Sequence, residues 1–113
     1  MGIRNSENQE TYSLIVNEKY FTDLREILDY IAIKQKQPLN AIKVSIGINV
    51  TMNKIILNPT IYAECENIPT KSKIYREAGY KSWLIVFKLK GNVITILGVL
   101  SGKRKPSSFR KIK

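Results

Sequence analysis

Two apolar runs near the end of the chain, Ser82–Leu89 (SWLIVFKL) and Val93–Leu100 (VITILGVL), are separated only by Lys90-Gly91-Asn92. A connection that short with glycine and asparagine in it is a tight turn, and it forces the second run back antiparallel to the first. The first run is apolar on both faces, as in a strand with neighbours on either side. A third segment, Ser72–Ala78, precedes the pair, so the C-terminal half predicts a three-stranded meander.

The N-terminal half has a different period. Tyr12–Asn17 is a short strand rich in Leu, Ile and Val. Phe21, Leu24, Ile27, Leu28 and Ile31 then recur at helical spacing, with Asp23, Glu26 and Asp29 on the other face. Asn17 or Thr22 is placed to cap this helix. Pro38 ends it near Gln37, because the residue before proline is pushed out of helical geometry.

Pro38–Leu57 carries two patterns. Ile42, Val44, Ile46, Ile48 and Val50 alternate and are β-branched, which favours a strand. Asn40, Lys43, Gly47, Thr51 and Lys54 form a polar stripe at helical spacing, and Pro38 suits a first helical turn. The length of the segment without a turn signal tips it to helix. Such a helix is apolar around most of its circumference and is expected to be buried on more than one side. The element order is β-α-α-β-β-β, an α+β fold: an antiparallel curled sheet with a helix hairpin packed on one face.

With 113 residues the chain is read as a single domain, 1–113, with a loose segment at 1–10 and a basic tail at 106–113. It has no run of eighteen apolar residues to span a membrane. One cysteine, Cys65, offers no disulfide partner within the chain, and a cytoplasmic protein is expected. The absence of histidine excludes a Cys–His catalytic pair and His-based metal sites.

Charge is distributed unevenly. The net charge is +10, yet residues 1–70 hold seven basic and eight acidic side chains. Residues 71–113 hold twelve basic residues against Glu77 alone. A cationic half of this kind points to a polyanionic partner, either nucleic acid or an acidic protein. A basic nucleic-acid-binding module with no further activity is one reading of that split.

Four stretches, in order, resemble the RelE/ParE toxin superfamily of bacterial type II toxin–antitoxin systems. They are Asp23-Leu24-Arg25-Glu26-Ile27 with Asp29-Tyr30-Ile31-Ala32, then Leu57-Asn58-Pro59, then Arg76-Glu77-Ala78-Gly79-Tyr80-Lys81, and finally Val99-Leu100-Ser101-Gly102-Lys103-Arg104. The first is closest to ParE-like members. The resemblance implies a helix hairpin over the ambiguous segment, no cofactor or metal, and a cognate acidic antitoxin, with a toxin–antitoxin heterotetramer as the assembly. It implies one of two targets: DNA gyrase, inhibited without nuclease chemistry, or messenger RNA cut on the ribosome.

Under the RelE-like reading, Lys73, Arg76, Lys81 and Arg104 would be the catalytic set. Phosphate stabilisation and proton transfer are the tasks that such cleavage demands. The ParE-like pattern has departures of its own, Ser101 in place of a common histidine and Lys103 in place of one arginine, but those from the RelE-like set touch the chemistry: Arg110 stands where a late tyrosine is usual, Ile74 stands at one basic position, and no histidine is present to replace them. Those departures favour the ParE-like reading. Arg76, Lys81, Lys103, Arg104, Lys105, Phe109 and Arg110 are then the residues expected to meet target or antitoxin. Arg76 has a structural alternative, an ion pair with Asp23 or Glu26 on the first helix. Trp83 is expected in the core, and Tyr75 and Tyr80 are expected to pack at the sheet edge.

Overall fold

The computed structural model describes residues 11–64 and 74–101. Strand β1 (Ser13–Val16) leads into helix α1 (Glu18–Asp29), a wider π turn (Tyr30–Lys34) and helix α2 (Pro38–Leu57). A short 3-10 turn (Pro59–Ile61) follows, and then strands β2 (Tyr75–Tyr80), β3 (Trp83–Lys90) and β4 (Val93–Ser101). The element order is the expected one, and the long ambiguous segment is a helix. Pro38 sits in its first turn, where a missing N–H costs nothing. No helix among the described residues is long and apolar enough to cross a membrane.

The four strands lie in the order β1-β4-β3-β2. The meander β2-β3-β4 is antiparallel as expected, whereas β1 pairs parallel with β4, Ser13 opposite Val93 and Val16 opposite Ile96. The sheet is therefore mixed. Two helices intervene between β1 and the meander, and a connection that long can return a strand in either direction. β3 lies between two neighbours, and Ile85, Val86 and Phe87 at its centre are fully buried.

A bulge decides which residues of β4 face the helices. Val86 pairs with Gly98, but Phe87 pairs with Ile96, so Leu97 is one residue extra. In an unbroken strand, Ile96 and Val99 would point to opposite faces. The inserted residue restores the phase, and Ile94, Ile96 and Val99 all join the core with Ile85 and Phe87. Leu97 and Leu100 go to the other face and form a second buried cluster with Val86.

Helix α1 packs over β4 and α2 over β2. From α1 the core receives Tyr20, Leu24, Ile27 and Leu28, and the π turn adds Ile31. From α2 it receives Ala41, Val44, Ile48 and Ile55. Each fully buried aliphatic side chain contributes roughly 1.5–3 kcal/mol. Tyr20 takes the buried position expected for Phe21, which is 57 % exposed with its ring edge against Tyr20. Burial pushes the Tyr20 phenol above its ordinary value. Asn17 occupies the cap position of α1 without a side-chain cap bond, and Thr22 lies inside the helix.

The expectation that α2 is buried on more than one side is corrected. One face is buried, and Leu39, Ile42, Ile46 and Val50 on the other are exposed. The middle of the supposed polar stripe lies on the packed side, while Lys43 and Lys54 stay exposed: Gly47 meets Tyr80, and Thr51 is buried with its hydroxyl donating to the Gly47 carbonyl at 2.8 Å. A hydroxyl that bonds its own helix can enter a core, so polarity misplaced this face.

Where the β-ladder runs out, a side chain completes it. β1 ends at Val16, and the Val99 N–H points to a place beyond it. Asp23 Oδ2 accepts that N–H at 3.0 Å, while Lys19 Nζ holds Oδ1 at 2.8 Å. Replacing Asp23 by Ala strands the Val99 N–H, and an unsatisfied buried donor costs about 1–3 kcal/mol. Lys19→Ala removes a part-buried i,i+4 pair whose lysine end is still solvated, and is expected to cost less, about 1 kcal/mol or below. Urea denaturation of both variants checks this ordering; equal losses would mean that Asp23 acts through the ion pair alone.

Candidate functional site

Only two of the residues expected at the site, Arg76 and Lys81, lie among the described residues. Lys73, Lys103, Arg104, Lys105, Phe109 and Arg110 lie outside the described residues. Arg76 and Lys81 lie at opposite ends of β2, about 16 Å apart at strand rise. Side chains that share one proton-transfer step must come within hydrogen-bond reach of a common atom. The structure does not bring these two together.

Arg76 faces the helix side of the sheet. Its Nη1 donates to the Tyr62 carbonyl at 2.6 Å and to the Thr60 carbonyl at 3.4 Å. Its Nε is buried without a partner, as is Oε1 of Glu77. The guanidinium thereby pins the connector that follows α2. The Tyr62 ring packs edge-on against Phe87 at 6.0 Å, Pro59 is buried, and the Glu77 N–H donates to the Ala63 carbonyl at 3.2 Å. Glu64 forms an isolated bridge with Arg76 itself, so residues 63–64 cover part of the β2 edge. The expected ion pair with Asp23 or Glu26 is absent. α1 lies over β4, two strands away from β2 on the same face, and Asp23 is held by Lys19 and the Val99 N–H.

Lys81 forms the β2–β3 turn with Ser82. It adopts a left-handed φ of 53°, which costs a non-glycine residue about 1 kcal/mol. Its Nζ lies 5.6 Å from the centroid of the Tyr80 ring, within cation–π range. Tyr80 in turn lies directly on Gly47, where a Cβ would overlap the ring. The absent side chain at Gly47 is what lets an aromatic ring approach α2 so closely. Glycine inside a helix is costly, and this was the signal for a close approach that a stripe-by-stripe reading missed. Trp83 is half-buried against the core, and Tyr75 packs on the second cluster.

The sequence marked α2 as apolar on two sides, and the structure shows which side is bare. Leu39, Ile42, Ile46 and Val50, at spacings of three, four and four, are 74 %, 57 %, 59 % and 44 % exposed. A contiguous apolar stripe on one helix face is the shape that an amphipathic partner segment covers. Its signal was present as alternating β-branched residues, but the same letters describe a buried face equally well.

Comparison with known proteins agrees with this architecture. The sequence model of the ParE toxin of the type II toxin–antitoxin system parDE matches residues 14–106. Among solved structures, the chain is similar to one described as the chromosomal ParDE toxin–antitoxin system from P. aeruginosa. The TM-score is 0.63 at 22 % identity, covering 80 % of this chain and 96 % of that one. It is also similar, at a TM-score of 0.43 and 16 % identity, to YafQ from E. coli, over 80 % of this chain and 92 % of that one. The first of these likenesses supports the fold. No curated protein sequence matches the chain.

Gly47→Ala tests the Tyr80 contact. Alanine improves helix propensity by about 1 kcal/mol, whereas forcing a packed ring aside costs about 1–3 kcal/mol. A net loss of stability is expected in the native background. With Tyr80→Ala already present the same change should stabilise, and chemical denaturation of the four proteins reads the reversal. Additive effects would show that the ring does not bear on Gly47.

Proposed function

Because the chain belongs to the ParE toxin family of type II toxin–antitoxin systems, we propose that it arrests growth in the ParE-like manner, by inhibiting DNA gyrase. The observation that carries this reading is the engagement of Arg76. Its guanidinium holds the carbonyls of Tyr62 and Thr60, about a strand's length from Lys81. A nuclease would need that side chain at the scissile phosphate. The absence from the chain of histidine, and of any tyrosine after Tyr80, supports the same reading. Inhibition by binding requires no proton-transfer set, only a complementary surface.

A toxin of such a system has a cognate antitoxin. In our reading the antitoxin is acidic and lays an amphipathic helix along Leu39, Ile42, Ile46 and Val50 while its carboxylates meet the cationic C-terminal half. Burying each of these side chains would contribute roughly 1.5–3 kcal/mol before ordering costs.

Two experiments test these statements separately. Purified toxin titrated into gyrase and relaxed plasmid is expected to block supercoiling near stoichiometric amounts and to trap cleaved DNA. A preparation that arrests growth but leaves supercoiling intact would overturn the gyrase target. Ribosome-dependent cleavage would then be the reading, with Lys73, Arg76, Lys81 and Arg104 the residues to replace. For the antitoxin, the double variant Ile42→Glu/Ile46→Glu should keep its fold and bind antitoxin about tenfold or more weakly, the loss of one anchor's contribution. Unchanged affinity by calorimetry would remove α2 from the interface.

A further inference from the structure

A cleft of about 410 Å³ opens between α1, the π turn, the start of α2 and the end of the β-hairpin. That volume falls at the lower end of the range of small-ligand sites, roughly 300–1,000 Å³. Its walls hold Asp23, Glu26, Tyr30, Gln35, Asn40 and Trp83 among others. Nothing in the toxin reading so far uses it.

Its chemistry is opposite in sign to the rest of the protein. The chain carries +10, yet both charged residues lining the cleft are carboxylates. Asp23 and Glu26 on α1 and Tyr30 at the start of the π turn lie three and four residues apart and so share one helical face. Asp23 is already held by Lys19 and the Val99 N–H. Glu26 is exposed and pairs with no cation among the described residues. Asn40 directs its Nδ2 at the Gln37 side chain at 3.1 Å, which leaves its Oδ1 as an acceptor. The walls thus combine one unengaged carboxylate, amide oxygens and the rings of Trp83 and Tyr30.

The geometry points to a binding site for a guanidinium group in this cleft, with Glu26 as its counter-ion and Trp83 and Tyr30 as aromatic walls. A guanidinium presents five donors in a plane and lies flat on aromatic rings, so carboxylate, amide oxygens and rings can be used at once. A phosphate or carboxylate ligand would be repelled by Glu26 and Asp23. The site does not depend on which macromolecule the toxin acts on. An arginine side chain of a bound polypeptide and a free guanidinium compound share this chemistry.

Trp83 is the only tryptophan in the chain and lines the cleft, so its fluorescence reports occupancy directly. N-acetyl-arginine methylamide titrated into the full chain is expected to change Trp83 emission saturably, and N-acetyl-citrulline methylamide, its neutral isostere, is not. Glu26→Gln, at an exposed helix position, should keep the fold and weaken arginine binding about fivefold, as an exposed ion pair allows. Amide resonances of Gln35, Asn40 and Ser82 give a second readout if the emission is silent. Equal response to citrulline, undiminished binding by Glu26→Gln, or no response in either readout would overturn the site. Two further probes distinguish the sources: tighter binding of an arginine-centred tripeptide than of methylguanidinium identifies a polypeptide ligand, and equal binding identifies a free cation.

Discussion

The bulge at Leu97 is the constraint from which the rest of the packing follows. Without it, the period of two along β4 would send Val99 to the face away from the helices, and the end of the strand would lose its place under α1. With it, Ile94, Ile96 and Val99 line up beside Ile85 and Phe87, and one continuous apolar surface receives both helices. The same inserted residue gives the opposite face its own cluster of Val86, Leu97 and Leu100. Gly98, next to the insertion, pairs with Val86, and a glycine within a strand often accompanies such a distortion.

Two charged side chains complete backbone pairing where the sheet ends. Asp23 serves Val99 on the β1 side, and Arg76 serves Tyr62 and Thr60 at the β2 edge. Both lie in stretches that resemble family motifs, and both act on backbone atoms far away in sequence. A residue that recurs in a motif for such a reason holds the fold, and chemistry is then free to reside elsewhere. This is why the geometry of Arg76 weighs on the choice between a nuclease and a binding inhibitor.

Function in this reading is divided among surfaces. The outer face of α2 is apolar, the C-terminal half of the chain is cationic, and the cleft beside α1 carries the acidic side chains. A partner that covers an apolar stripe and answers positive charge gains both hydrophobic and electrostatic contributions, and ordering a disordered segment offsets part of each. The apolar stripe and the cleft share only the first turn of α2, so Ile42, Ile46 and Val50 can be replaced without touching a residue that lines the cleft.

The sequence by itself determined the element order, the hairpin at Gly91-Asn92, the central place of β3 and the separation of charge. These rest on local periodicity, turn chemistry and composition, which are written along the chain. The four family-like stretches were legible too, and the match over residues 14–106 agrees with them. Only the tertiary structure decided the parallel pairing of β1 with β4, the phase shift at Leu97, the face of α2 that is buried, and the partners of Asp23 and Arg76. The physical reason is common to all four. Each depends on contacts between residues distant in sequence, where an isoleucine reads the same whether it is covered or bare. A carboxylate likewise reads the same whether it meets solvent or a stranded N–H.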